Sequence, residues 1–259
     1  MLSKNPMKHM AIIPARLAST RLPNKPLQKI GDLTLIEFVA DEVVKTGLFD
    51  QVFVATDSKE IFDLFQNSKV EPVMTSVEHQ SGTDRIFEAS SKIGSDFDTV
   101  INIQGDEPFV FKEDLEKMTL ALESGHKMVS FYEELHAEDL KNLNKVKVIL
   151  NNESEAIYFS RHPIPFSREE PIDLDSKFVG KHVGLYGYQK DFLKDFCEHP
   201  LGFHEEKEKL EQLRALQIGE KIKMIKTEQA YQGVDTKEDL EKVNKILADK
   251  LKTRKESAE

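Results

Sequence analysis

Three short, nearly unbroken apolar runs punctuate the first half of the chain: His9-Met-Ala-Ile-Ile-Pro14, Gln51-Val-Phe-Val-Ala-Thr-Asp57 and Thr99-Val-Ile-Asn-Ile-Gln-Gly-Asp106. Runs of this length without polar alternation predict strands buried on both faces. Between the first two, Leu35, Ile36, Val39, Val43 and Val44 recur at helical spacing and predict a helix over 35–46. Ile61, Leu64 and Phe65 predict a second over 60–67, and residues 84–93 a third. Strand alternating with helix predicts an α/β fold with a doubly wound sheet. Each apolar run exits into polar residues: Ala15-Arg16, Thr56-Asp57 and Gln104-Gly105-Asp106. Open parallel sheets bind ligands beyond the carboxyl ends of their strands, so the three exits are expected to converge on one site.

The second half is less regular. Val146–Leu150 and Ala156–Phe159 read as strands, followed by the proline-rich loop Arg161–Phe166. Lys181–Tyr188 alternates, which puts His182 and Tyr186 on one face of a strand. A helix is predicted over 205–218, ended by Gly219, with Glu211, Gln212 and Arg214 projecting beside a Leu210–Leu213 stripe. Lys221–Lys226 predicts a strand. A last helix starts at Thr236, with Asp239 completing a capping box and Leu240, Val243, Leu247 and Leu251 as its buried stripe. No linker divides the chain, so a single domain over 1–259 is expected, with an extra lobe within about 130–190.

Composition narrows the function. Asp and Glu number 46 against 36 Lys and Arg, a net charge of −10. General nucleic-acid binders are basic, so that class loses weight. The lone cysteine, Cys197, rules out an intrachain disulfide and a multi-thiolate zinc site. The opening residues lack the apolar core of a signal peptide, and no run approaches the ~20 apolar residues of a membrane span. A soluble cytoplasmic protein without membrane partners is expected.

Against that acidity, PARLASTRLPNKPL (Pro14–Leu27) carries Arg16, Arg21 and Lys25, with Lys29 just beyond, and no acid. It follows the first strand, where nucleotide-binding proteins hold phosphate, yet no G-x-G-x-x-G or P-loop pattern is present. The loop reads either as a solvated basic surface or as a phosphate cradle stiffened by Pro23 and Pro26. Asp106, after a buried strand and a glycine, reads as a turn residue or as a ligand for Mg²⁺. Asp235 reads as a helix-cap acid unless it comes near Asp106. Ser81-Gly-Thr-Asp-Arg85 suits a helix cap and equally a ligand held on free backbone N–H groups. His182 and Tyr186 suit sugar binding or packing. Zincin, nucleophile-elbow and S-x-x-K signatures are absent.

Taken in order, PARLASTRLPNKPL, ATD, HQSGTDR, NIQGDEP, YFSRHPIPF, HVGLYGY, EKLEQLR and GVDT resemble the 3-deoxy-manno-octulosonate (Kdo) cytidylyltransferases, or CMP-Kdo synthetases, across residues 8 to 247. The resemblance implies a nucleotide-diphospho-sugar transferase fold, Rossmann-like with a mixed central sheet and an extra dimerisation lobe. It implies transfer of CMP from CTP to the anomeric hydroxyl of Kdo, releasing diphosphate, for lipopolysaccharide synthesis by a homodimer. Asp106 and Asp235 match the family's magnesium pair, and Arg16 and Lys25 its catalytic cations. Ala15, Arg16, Ser19, Arg21, Lys25, Ser81, Thr83, Arg85 and Gln104 match nucleotide contacts. Gln104, Arg161, His182, Tyr186, Glu211 and Gln212 match sugar contacts. Asp84, Ile86 and Gln189 depart from frequent family residues without touching the chemistry. Glu107 and Gly233 favour ordinary Kdo over its 8-amino analogue, while sialic acid enzymes match fewer motifs. A non-catalytic nucleotide-binding protein is disfavoured, because Asp106, Asp235, Arg16 and Lys25 are all present.

Overall fold

Strand β1 (His9–Ala15) pairs in parallel with β4 (Gln51–Thr56), aligning Ile12 with Phe53 and Ala15 with Thr56. Met10 through Ile13 are fully buried, which explains why this run does not alternate. The computed structural model describes residues 6–19, 21–169, 171–174 and 176–256, with side chains described as far as 249. Between β1 and β4 lie the short hairpin β2 (Lys29–Ile30) and β3 (Leu33–Thr34) and helix α1 (Leu35–Thr46). Thr34 and Glu37 form a reciprocal capping box at the start of α1, and Gly47 ends it in the left-handed region at φ 67°. Helix α2 (Lys59–Leu64) leads to β5 (Glu71–Met74), which extends the parallel set beside β4. Helix α3 (Gly82–Ile93) follows, capped by Ser81.

The chain divides into two compact units, each built from separate segments. The first comprises Met10–Gly94, Asn102–Lys112 and Ala230–Glu259; the second comprises Met1–His9, Ser95–Ile101 and Glu113–Gln229. Strand β6 (Thr99–Asn102) is shorter than its apolar run: Ile103 N still donates to the Ile12 carbonyl at 3.1 Å, and the Gln104–Asp106 loop follows.

The second unit carries α4 (Lys112–Glu123), β7 (Met128–Glu133), α5 (Ala137–Leu140), β8 (Lys147–Leu150), β9 (Ala156–Ser160) and β10 (Val179–Gln189). Helices α6 (Lys190–Glu198), α7 (Phe203–Glu208) and α8 (Leu213–Gln217) precede β11 (Ile222–Lys226). Its sheet is mixed: β10 runs antiparallel to β7 and β8, whereas β11 runs parallel to β7. Strand β10 bulges between Val183 and Tyr186 while β7 advances only from Phe131 to Ser130. Two extra residues preserve parity, so His182 and Tyr186 do share a face.

The helix expected over 205–218 is two helices. Lys209 takes the left-handed conformation at φ 54°, and the chain folds back between α7 and α8. Arg214, expected on the surface, turns inward: its Nε and Nη2 donate to Glu205 at 2.7 and 2.6 Å, and Nη1 donates to the Phe196 carbonyl at 3.1 Å. In one continuous helix Glu205 and Arg214 would stand about 13 Å apart along the axis, beyond that bidentate grip. The ion pair therefore competes with helix continuity and wins.

The chain returns to the first unit for α9 (Lys237–Glu256). Its capping box is the expected one: Thr236 Oγ1 accepts from Asp239 N at 3.2 Å, and Asp239 Oδ2 accepts from Thr236 N at 3.0 Å. Val243 is fully buried, Leu240 and Leu247 partly so, and the Leu251 side chain lies outside the described residues. Asn244 fixes the helix to the β2–β3 hairpin by accepting from Gly31 N and donating to the Lys29 carbonyl. No helix among the described residues is long and apolar enough to cross a membrane.

Candidate active site

The basic loop begins where β1 ends and closes a cavity of about 390 Å³ within the first unit. Leu22, within the loop, is buried. Asn24 sits in the left-handed region at φ 49°, which asparagine tolerates better than most residues, and a 3-10 turn over Lys25–Leu27 follows with Pro26 inside it. Gln28 Nε2 donates to the Pro23 carbonyl at 2.8 Å, tying the loop's end to its middle. Arg16, Ser19, Arg21 and Lys25 all line the cavity. Arg16 has no ion pair among the described residues, so its charge is uncommitted.

Lys25 does more than line the wall. Its Nζ donates to Asp106 Oδ2 at 2.5 Å and to Asp235 Oδ1 at 3.0 Å. Burial opposes the ammonium charge, but the two carboxylates outweigh it and hold the Lys25 pKa above its ordinary value. Arg21 Nη1 reaches the other oxygen of Asp235 at 3.0 Å. Asp106 and Asp235 are distant in sequence and meet because Val234 N–H donates to the Asp106 carbonyl at 2.8 Å. Phe111 and Tyr231, edge to face at 5.1 Å between centroids, join the same two segments. Gly105 is needed for the approach, since a Cβ there would lie 2.8 Å from the Pro14 carbonyl oxygen.

No cluster of three or more His, Cys, Asp or Glu suited to a metal occurs among the described residues. The site offers two carboxylates within reach of one cationic atom. That donor set fits Mg²⁺, which takes one or two carboxylates and fills its remaining positions with water and phosphate oxygens.

Helix α3 builds the facing wall. Ser81 Oγ accepts from Asp84 N at 3.1 Å, and Ser81 and Gly82 line the cavity at the helix N-terminus. Arg85 also lines it, yet its guanidinium is engaged: Nη2 donates to Asp57 at 2.7 Å and Nη1 to Thr75 Oγ1 at 2.5 Å. Asp57, at the second strand exit, is thus the partner of Arg85. Thr83 is buried within α3 and does not line the cavity, whereas Ala15 and Gln104 do. His79 lines it as well; no local pattern singles it out, although it stands inside the HQSGTDR motif. Its Nε2 contacts Glu88 in a short hydrogen bond, and Glu88 also accepts from Ser76 N at 2.8 Å and pairs with Lys92 at 2.6 Å.

The remaining candidates belong to the second unit. His182 and Tyr186 are neighbours at 5.5 Å between ring centroids, and Phe159 meets His182 edge to face at 5.1 Å. Burial pushes the His182 pKa down to about 3, so its ring is neutral at physiological pH. Burial, with the Glu211 carboxylate nearby, pushes the Tyr186 phenol well above its ordinary value. Gln212 is 4% exposed, and its Nε2 is buried without a hydrogen-bond partner among the described residues. Arg161 donates to the carbonyls of Glu208, Leu143 and Lys209 at 2.8, 3.1 and 3.3 Å, which braces the break between α7 and α8.

The sequence pattern of the cytidylyltransferase family matches residues 10–222. The chain is similar to the 3-deoxy-manno-octulosonate cytidylyltransferase of Bdellovibrio bacteriovorus, 41% identical over 93% of this chain and 98% of that protein. It is similar to the enzyme of the same name from Flavobacterium johnsoniae, 42% identical over 94% and 100%. Among solved structures, a CMP:2-keto-3-deoxy-manno-octonic acid synthetase complexed with CTP aligns with a TM-score of 0.84 and 33% identity, over 94% of this chain and 99% of that one. A 4-diphosphocytidyl-2C-methyl-D-erythritol synthase from Anaerococcus prevotii aligns with a TM-score of 0.64 at 16% identity over 94% and 100%, a likeness of fold alone. These neighbours share the α/β class with a mixed, mostly parallel central sheet.

Proposed function

This chain belongs to the 3-deoxy-manno-octulosonate cytidylyltransferases, and from that membership we propose that it transfers CMP from CTP to the anomeric hydroxyl of Kdo, giving CMP-Kdo and diphosphate. The observation that carries the reading is the ionic junction of Lys25 with Asp106 and Asp235 in a cavity that Arg16 and Arg21 also line. Nucleotidyl transfer needs alignment and charge neutralisation more than a protein nucleophile. Arg16, Arg21 and Lys25 would grip the triphosphate and stabilise charge gathering on the departing diphosphate. Ser81 and Gly82, at the positive N-terminal end of α3, favour an anionic or polar ligand group, with Ala15, Ser19, Thr83 and Arg85 assigned to the nucleotide side. Asp106 and Asp235 are the residues that would hold Mg²⁺, which supplies Lewis-acid neutralisation of the triphosphate when bound. Gln104 is assigned to both substrates, and Arg161, His182, Tyr186, Glu211 and Gln212 to the sugar.

The reading brings with it a cytoplasmic homodimer working in lipopolysaccharide precursor synthesis. Its test is diphosphate release with CTP and Mg²⁺, with Kdo, 8-amino-Kdo and N-acetylneuraminate offered in parallel. Release with Kdo is expected. Preference for the amino sugar would move the substrate and keep the mechanism, and silence from folded protein that binds CTP would overturn it. Asp106→Ala and Asp235→Ala should each lose turnover by a factor on the order of 100 or more while folding normally. Near-normal turnover in either would remove that residue from the site.

A further inference from the structure

Ser130 lies in β7, fully buried, directly opposite the bulge in β10. Its Oγ has three polar neighbours: the Leu185 carbonyl at 2.9 Å, the Val183 carbonyl at 3.1 Å and His182 Nε2 at 3.1 Å. A serine hydroxyl carries one proton, and a carbonyl oxygen can only accept. Were that proton given to His182, two carbonyl oxygens would face a bare hydroxyl oxygen in a buried pocket. Giving it to the carbonyls leaves the Oγ lone pairs as acceptors, and the imidazole must then be the donor. Proton bookkeeping therefore puts hydrogen on Nε2.

We propose that Ser130 is a positioning residue that fixes His182 as its Nε2–H tautomer and presents Nδ1 as a hydrogen-bond acceptor for a substrate hydroxyl. Nδ1 has no partner among the described residues. The ring is held from its other sides by Phe159 and Tyr186. Burial keeps it neutral, so its second nitrogen retains a lone pair. The same hydroxyl that sets the tautomer also bonds both carbonyls of the bulge, so backbone shape and proton position are fixed together. The assignment of a hydroxyl-bearing ligand rests on the sugar-side reading of His182 above; the tautomer does not.

The test is a long-range ¹H–¹⁵N correlation on histidine-labelled protein, with the His182 signals identified by their loss in His182→Asn from among eight histidines. Protonated Nε2 with bare Nδ1 is expected, and Nδ1–H in the folded wild type would overturn the proposal. In Ser130→Ala the tautomer signature should be lost and the sugar KM should rise roughly tenfold, with the CTP KM little changed. Ser130→Thr, which keeps the hydroxyl, should preserve both. An unchanged His182 signature in folded Ser130→Ala would also overturn it. Should Ser130→Ala fail to fold, the wild-type spectrum still decides. Should the protein prove inactive on Kdo, the functional reading falls while the imidazole spectrum stands or fails by itself.

Discussion

Replacing Lys25 by alanine removes the ammonium that lies between Asp106 and Asp235 and leaves two carboxylates facing each other. The Lys25 side chain is 16% exposed, whereas Asp106 and Asp235 are 35% and 42% exposed. Breaking a buried pair costs ~3–5 kcal/mol and an exposed one ~0–1 kcal/mol. Half-exposed partners screened by water place this junction at ~1–3 kcal/mol. For a chain of this length each kcal/mol moves Tm by about 2–4 °C, so a fall of roughly 2–12 °C is expected in metal-free buffer. Mg²⁺ should recover most of that loss in the variant, because a divalent cation bound by the folded state stabilises it and replaces the missing charge. Wild type should respond less. Turnover should fall by a factor on the order of 100–1,000, because loading with Mg²⁺ does not restore the cation proposed to grip the triphosphate. Thermal melts with and without Mg²⁺, beside diphosphate release, read all three. A variant that melts with wild type in metal-free buffer and responds identically to Mg²⁺ would refute the charge-balance reasoning. Near-normal turnover would refute the phosphate role.

Other expectations follow from the same geometry. Gly105→Ala should cost ~1–3 kcal/mol and depress activity, since its Cβ would meet the Pro14 carbonyl at 2.8 Å and Ile36 at 3.1 Å; a urea midpoint equal to wild type would contradict this. Arg214→Met should cost ~3–5 kcal/mol by stranding Glu205 in the interior, and a loss under ~1 kcal/mol would show that the pair does not hold the α7–α8 break. Glu88 has its pKa held at about 2 against an ordinary 4.5: burial opposes its charge, but Lys92, the Ser76 N–H and His79 prevail. A carboxylate depressed in the folded state stabilises the fold above pH 4.5 and gives that up as pH falls toward 2. Glu88→Gln should therefore flatten the pH dependence of unfolding across that window, and an unchanged slope would dismiss the contribution.

The parallel strands and their helices are legible in the sequence because each speaks through local periodicity. Leu35–Thr46 is an instance where stripe, capping box and terminal glycine agree at every level. The polar strand exits are legible too, which is why Arg16 and Asp106 stand out from sequence alone. What sequence conceals is pairing at a distance. Nothing local distinguishes Asp235 from an ordinary helix-cap acid; only the bond from Val234 to Asp106 does. The stripe of Leu210 and Leu213 promises an unbroken helix because periodicity cannot weigh the Glu205–Arg214 pair against it. No segment named above from periodicity covers helix α4 or strand β7. The two extra residues in β10 also stay hidden, because the bulge keeps the alternation that makes a strand visible. Arg85 reads as a nucleotide contact from its motif, and the structure adds that Asp57 and Thr75 engage its guanidinium.

The bond from Val234 to Asp106 has a consequence for how the protein is made. Ribosomes release the basic loop and Asp106 well before Asp235, so a growing chain holds the loop's cations long before it owns both carboxylates. The junction of Lys25 with both carboxylates is complete only when residues 230 onward dock against 102–112. A chain interrupted before residue 235 is thereby left without half of its acid pair, and on the role proposed for that pair its product should not consume CTP.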